Sequence, residues 1–134
     1  MAGQGKSILA VGLGRFNKPE FTGSAQTSDT IRTNVLESLA KLNEAGFPSE
    51  GFHADPDDLT DTLSRLAAAI KCRHWDGIAV GWGVRGFVQN TILFEKIVNL
   101  VKDIAPHAKL IFPEAPELLF DAVLRSYSKT DYVS

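Results

Sequence analysis

Strand-like and helix-like segments alternate four times along this chain of 134 residues. Residues 7–13 and 78–82 are short apolar runs, which is typical of strands buried on both faces. The segments between the apolar runs repeat hydrophobic residues every three or four positions, as amphipathic helices do. This alternation predicts right-handed βαβ units, and therefore a parallel sheet with helices on both of its faces.

Four strands and four helices are expected from this pattern, with polar or glycine-containing connections between them. The second strand has the weakest signal, because few of its residues are apolar. The expected strands span residues 7–13, 50–55, 78–82 and 109–112. The expected helices run from 28 to 45, from Asp57 or Asp58, from Asn90 or Thr91 to before Pro106, and from Pro116 through 127.

The simplest doubly wound arrangement of these elements has the strand order 2-1-3-4. The sequence therefore predicts a single α/β domain over residues 1–134, with residues 1–6 and 128–134 flexible. The architecture is a three-layer flavodoxin-like sandwich around a four-stranded parallel sheet. Sheets of this type bind ligands beyond the carboxyl ends of their strands, where the winding reverses. The loops after strands 1 and 3 are thus the expected ligand site.

Composition excludes several classes of function. A net charge of −2 provides no basic face for nucleic acid, so no nucleic-acid partner is expected. Cys72 is the single cysteine, which excludes an internal disulfide and an all-cysteine metal cage. No histidines and carboxylates have metal-ligand spacing, and no apolar run approaches the roughly 20 residues of a membrane helix. We expect a cytoplasmic protein without a metal, a bound cofactor or a membrane partner.

The connection after strand 1 is a candidate anion site. Gly12 and Gly14 allow a sharp turn and a close approach of backbone amides, while Arg15 and Lys18 add positive charge. The connection continues to Thr27, which is longer than the roughly 2–6 residues typical of a βα loop. Residue 17 is not glycine, so this is no dinucleotide-binding fingerprint. The alternative is a solvated loop with turn residues.

The segment after strand 3 carries a tryptophan and an arginine between glycines, in Gly81-Trp82-Gly83-Val84-Arg85-Gly86. Trp82 offers a flat apolar surface, and Arg85 offers a forked cation that matches a carboxylate or phosphate. The helix that follows begins near Asn90, and its free amides would also favour an anion. The alternative is that Trp82 belongs to the core and Arg85 pairs with a surface carboxylate.

Three titratable residues follow the two other strands. His53 and Asp55 end strand 2, and Glu114 comes after strand 4. A histidine and a carboxylate at the same edge of a sheet could act as general base and orienting group, so these three are the catalytic candidates. Alternatively, Asp55 shapes the turn before Pro56, and His53 is structural.

Known flavodoxin-like families provide a further comparison. Response-regulator receivers need acidic residues after strand 1 and an aspartate at the end of strand 3, where this chain has glycines and Trp82. The phosphate loop of flavodoxins is rich in serine and threonine, unlike residues 15–17. Type II dehydroquinases resemble the first third through Arg15 and Pro19, but Phe21 occupies the position of the catalytic tyrosine.

Residues 76–112 resemble small bacterial and fungal proteins that have no assigned activity. Those proteins have a strand ending in a Gly-x-Gly-Val-Arg loop, followed by an apolar helix that ends in Ala-Pro. Here the loop is Gly81-Trp82-Gly83-Val84-Arg85, and the helix ends at Ala105-Pro106. The resemblance implies the fold rather than an activity.

The combined pattern favours a small cleft protein that binds a compact anion, either a phosphate or a carboxylate. It would act as a cofactor-independent enzyme such as a lyase, isomerase or hydrolase, with Arg15 and Arg85 on the anion and His53 transferring a proton. The rival hypothesis is a non-catalytic interaction or regulatory module on the same scaffold.

The helix over residues 91–105 predicts a homodimer. Its apolar residues, apart from Ile92, cover an arc of about 160°, which exceeds the roughly 100° needed to face one sheet. One flank of the arc, carrying Phe94 and Val98, would pack on the sheet while the other, carrying Leu93 and Leu100, meets a partner, or the reverse. A small domain rarely leaves a large apolar patch in water, and two-fold pairing is the commonest way to cover one. The alternative is that the last helix covers the second flank within the monomer.

Overall fold

The computed structural model describes residues 4–18, 20 and 28–127. The strands are β1 (Ile8–Gly12), β2 (Ser49–His53), β3 (Gly77–Val80) and β4 (Lys109–Ile111). The α-helices are α1 (Ser28–Glu44), α2 (Leu59–Lys71), the single turn α3 (Trp82–Arg85), α4 (Thr91–Ile104) and α5 (Leu119–Ser126). Short 3-10 turns span Gly14–Phe16, Val88–Asn90 and Pro116–Leu118. Residues 1–3 and 128–134, expected to be flexible, lie outside the described part.

All three strand pairings are parallel, and the order in the sheet is β2-β1-β3-β4. This order confirms the doubly wound arrangement expected from the sequence. The weakly apolar segment is a genuine strand, paired with β1 along its whole length from Ser49 to His53. It lies at the edge of the sheet, where its side chains remain partly or fully exposed, and this position explains its low apolar content.

Helices cover both faces of the sheet, so the three-layer α/β sandwich is confirmed. On one face α2 and α4 pack against alternate strand residues such as Leu9, Val11 and Ile78. On the other face α1 and α5 pack around Ile8 and Ile111. The alternation of strand side chains between faces produces these two separate apolar cores. No helix in the described part of the chain is long and apolar enough to cross a membrane.

Local structure departs from the sequence prediction in two places. The segment after β3 folds into one helical turn, in which the Gly86 N–H donates to the Trp82 carbonyl at 2.6 Å. Pro116 starts a 3-10 turn rather than α5 itself, which begins at Leu119. Between the two capping candidates for α2, the structure selects Asp58, whose carboxylate accepts from the Asp61 N–H at 3.0 Å.

Candidate functional site

A cavity of about 500 Å³ opens between α1 and the carboxyl ends of β1 and β3. This is the reversal point of the winding, where open α/β sheets bind their ligands. Its walls come from β1, β2, β3, α1 and the segments after β1, β3 and β4. Most of the lining is apolar, and the polar side chains that reach it are Asn17, Arg32, His53 and Glu114.

The cavity exists because the sheet presents small residues on the face beneath α1. Gly51 of β2 pairs with Ala10 of β1, and Ala10 pairs with Ala79 of β3, so the three form one row across the sheet. Gly12 and Gly81 continue the same face toward the carboxyl ends of their strands. A Cβ at Gly12 would meet no atom within 4 Å. Because these residues are small, a gap remains between the floor of the cavity and α1.

The roof of the cavity consists of aliphatic side chains on α1. Ile31, Val35 and Leu39 recur at helical spacing and line the space above the floor. Leu36 also lines it and remains 66% exposed. The helix therefore keeps an apolar stripe that the sheet does not cover.

His53 lies at the β2 side of the cavity and packs against Gly14. A Cβ at Gly14 would overlap the imidazole ring, and Gly14 has a φ of +50° that favours glycine. The Arg15 N–H points at Nδ1 of His53 across 3.5 Å. The loop after β1 therefore contacts His53 through its backbone, and Gly14, which is predicted to approach an anion, lies against the imidazole ring.

Positive charge surrounds His53. Burial lowers the pKa of His53, and Arg15, Arg65 and Arg32 lower it further. Arg65 also donates to the His53 carbonyl at 3.0 Å and pairs with Asp61 at 2.7 Å. The imidazole is therefore held in its neutral form around pH 7, within a positive electrostatic environment.

Arg15 and Arg32 differ in their remaining contacts. The guanidinium of Arg15 is exposed and lies 4.8 Å from the Phe16 ring centroid, and no carboxylate of the described residues pairs with it. Arg32 lines the cavity and pairs with Asp29. Two carboxylates, those of Asp29 and Asp61, thus face three guanidiniums around the imidazole.

The structure does not pair His53 with either predicted carboxylate. The Asp55 carboxylate accepts from the Asp57 N–H at 2.9 Å, which is a turn-shaping contact, and Asp55 does not line the cavity. Glu114 lines the cavity but follows β4, which lies three strand spacings, about 14 Å, from β2. Its carboxylate accepts from Arg125 at 3.2 and 3.3 Å.

The carboxylate of Glu114 is stabilised in its ionised form. A hydrogen bond from its own backbone N–H lowers the pKa of Glu114, and Arg125 lowers it further. A group that stays ionised in this way is a weak general acid or base near neutral pH. Among the titratable residues that line the cavity, His53 has the ordinary pKa closest to neutral pH.

Trp82 and Arg85 follow β3 but have different environments. Trp82 lines the cavity and is 45% exposed, whereas Arg85 lies outside the lining. The Arg85 guanidinium lies 5.0 Å from the Trp82 ring centroid and 5.4 Å from that of Phe112. Its Nη2 donates to the Phe112 and Pro113 carbonyls at 3.3 and 3.1 Å. Arg85 thus ties the end of β3 to the end of β4.

Two further candidates have backbone roles in the same region. The buried amide of Asn90 donates to the Gly83 carbonyl at 2.8 Å, and Asn90 does not line the cavity. Gly83 lines the cavity, and a Cβ there would lie 3.2 Å from the Leu13 side chain. Asn90 therefore fixes the position of the backbone at Gly83, directly after Trp82.

The cavity brings together six of the ten sequence candidates and leaves out Arg15, Asp55, Arg85 and Asn90. The six are Gly12, Gly14, His53, Trp82, Gly83 and Glu114. Sequence reasoning missed Arg32 and the small residues of the floor. The signal for the floor was present in β1 and β3, where Ala10 and Gly12, and Ala79 and Gly81, alternate with bulky residues.

Comparison of the chain with protein-family models, curated proteins and solved structures gives no match. The structure thus defines a small α/β protein with a four-stranded parallel sheet, flavodoxin-like in topology, and a ligand-sized cavity at its reversal point. Among the described residues, no group of three histidine, cysteine, aspartate or glutamate side chains could hold a metal ion.

Proposed function

We propose that this protein binds a small anionic molecule, a carboxylate or a phosphate, in the cavity between α1 and the sheet. The observation that supports the proposal is the combination of a roughly 500 Å³ space with the cationic group around His53. Arg32 lines the space, and Arg15 lies beside it with no carboxylate partner among the described residues. An anion bound there would interact with guanidiniums that outnumber the carboxylates paired with them.

A second function, cofactor-independent catalysis at the same place, is favoured by the state of His53. An imidazole kept neutral near pH 7 can accept a proton, as a general base must. Since neither Asp55 nor Glu114 contacts it, the Arg15 N–H at 3.5 Å is the group that orients the ring. The non-catalytic alternative, a regulatory binding module, needs only the cavity and its charges.

The resemblance of residues 76–112 to small bacterial and fungal proteins remains part of this proposal. In that segment the Gly81-Trp82-Gly83-Val84-Arg85 loop supplies Trp82 to the cavity wall, and Arg85 holds the loop against the end of β4. The motif would then be a support for the site rather than the anion receptor itself.

Thermal unfolding in the presence of anions tests the proposal. Acetate or phosphate in about tenfold excess over its dissociation constant should raise the melting temperature by about 3–6 °C, because it binds only the folded state. The variant Arg32→Gln should lose most of this rise. Arg73→Gln is the matched control, since Arg73 lies over Trp75, remote from the cavity, and its variant should respond as the wild type does.

The control also separates binding from the general stabilisation that phosphate gives to folded proteins. A rise of equal size in the wild type, Arg32→Gln and Arg73→Gln would show that no anion site exists at this cavity.

A further inference from the structure

The volume of the cavity exceeds what a compact anion needs. At roughly 30 Å³ for each water-sized group, about 500 Å³ holds about 16 such groups. Acetate or phosphate would occupy only a minor part of it. The remaining space is bounded by aliphatic side chains and by the small residues of the floor, where stranded water would find few hydrogen-bond partners. A ligand that fits the whole cavity must therefore bring an apolar body.

The rim of the cavity extends this apolar surface into solvent. Trp82 is 45% exposed and Leu36 is 66% exposed, and both line the opening. They are two of the four large hydrophobic side chains that stand exposed in the described part of the chain. Exposed apolar groups that continue into a cavity mark a binding site rather than ordinary surface.

Charge is distributed unevenly around the cavity. The guanidinium of Arg32 and the cluster around His53 lie on the β2 side, while Ala79, Leu119 and Trp82 lie beyond β1. On the β4 side, the carboxylate of Glu114 is already paired with Arg125. An anionic head group is therefore accommodated on the β2 side, and an apolar body can extend from it along the floor beneath α1.

We propose that the ligand is a monocarboxylic acid with an apolar body, whose carboxylate lies beside Arg32 and His53 and whose body occupies the space between Val35, Leu39 and the Gly51–Ala10–Ala79 row. This inference rests on the proposed function of the cavity and names the class of ligand. Aliphatic and aromatic acids share this chemistry, and decanoate and a naphthylacetate serve as probes of the two.

Trp82 provides a direct measurement of binding. The chain has two tryptophans, and Trp75 is buried in the core on the other face of the sheet. A change in emission on titration therefore reports contact with Trp82. Decanoate below its micelle concentration should shift the emission to shorter wavelength, and each methylene between hexanoate and decanoate should tighten binding about fourfold. Decanol, which lacks the charge, should bind about two- to fivefold more weakly than decanoate.

Two variants test the two halves of the ligand. Gly12→Leu fills open space on the floor and should weaken decanoate binding by at least about tenfold. As a control, Thr33→Leu places a leucine side chain on the exposed side of α1, and this variant should bind decanoate as the wild type does. Arg32→Gln should reduce decanoate affinity to that of decanol and leave decanol binding unchanged. Gly12→Ala, with a smaller side chain, serves as a second plug if Gly12→Leu proves unstable by circular dichroism.

The outcomes separate this inference from the proposed function. Equal affinity for acetate, hexanoate and decanoate would show that the cavity does not bind an apolar body, and the proposal of anion binding would remain. Equal affinity for decanoate and decanol would overturn the carboxylate. Tight naphthylacetate binding without decanoate binding would retain the class and assign it to aromatic acids. No emission or calorimetric response to any acid would overturn the carboxylic-acid ligand. If phosphate also failed to raise the melting temperature, the proposed function would be overturned with it.

Discussion

The imidazole of His53 depends on a glycine 39 positions earlier in the chain. Any side chain at Gly14 would overlap the ring, so the tight turn after β1 is what allows the imidazole to reach the cavity. Partial desolvation of the ring and three nearby arginines lower the pKa of His53. At the residue scale, the position and the pKa of His53 thus depend on residues of the 3-10 turn after β1, of α1 and of α2, which are distant from it in sequence.

This environment predicts a pH dependence of stability. The pKa of His53 is lower in the folded protein than its ordinary value of 6.5. Between the folded pKa and about pH 6.5, the imidazole is therefore protonated more in the unfolded chain than in the folded one. Stability from this group is present above about pH 6.5 and is lost as the pH falls toward the folded value. His53→Gln should lose less stability than the wild type between pH 8 and 5.5, and the difference should be small because the residue is exposed to solvent.

Urea unfolding at several pH values measures this difference directly. Both proteins keep His74 and His107, so a difference between the two profiles belongs to His53. Identical pH profiles for the wild type and His53→Gln would show that the imidazole has no unusual environment.

At the scale of elements, Arg85 joins α3 to the end of β4. Its two hydrogen bonds to the Phe112 and Pro113 carbonyls, and its contact with the Trp82 ring, position one wall of the cavity. Arg85→Ala should therefore lower the free energy of unfolding by about 1–3 kcal/mol, because the carbonyls lose a charged donor. Denaturant unfolding measures the change, and Arg73→Ala is a control of the same residue type. If the free energy of unfolding fell by less than about 0.5 kcal/mol, as at ordinary surface positions, Arg85 would not stabilise the contact between α3 and the end of β4.

At the scale of the whole molecule, the predicted homodimer concerns α4. The structure buries Leu93 in the core and packs Leu100 against the same core, which also contains α2, so neither half of the predicted free flank is fully exposed. The last helix, α5, packs on the opposite face of the sheet. The exposed apolar side chains in this region are Val88 at 85% and Ile92 at 60%.

The homodimer stays a prediction, now centred on the start of α4. Light scattering at micromolar concentration should give about twice 14.6 kDa for the wild type. Ile92→Glu should give the monomer mass, because a charge in an apolar interface is unfavourable. Thr33→Glu, on the exposed side of α1, should remain dimeric. A wild-type mass of 14.6 kDa would rule the dimer out.

The sequence by itself determined the four strands and the four longer helices, their order, and the edge of the sheet at which the cavity opens. Those properties follow from local periodicity and from the right-handedness of βαβ units, which the residue types record directly. Even β2, weak in apolar content, was recognisable from its place between two helices.

Only the tertiary structure decided what the candidate residues contact. The glycines and the tryptophan beside Arg85 in the sequence predict that it binds an anion, but they do not reveal its partners in the fold, which are carbonyls 27 and 28 positions away. The floor of the cavity arises where Gly51, Ala10 and Ala79 fall into one row, which depends on strand register. Register and side-chain direction are set by packing between distant segments, so no local pattern in the chain could specify them.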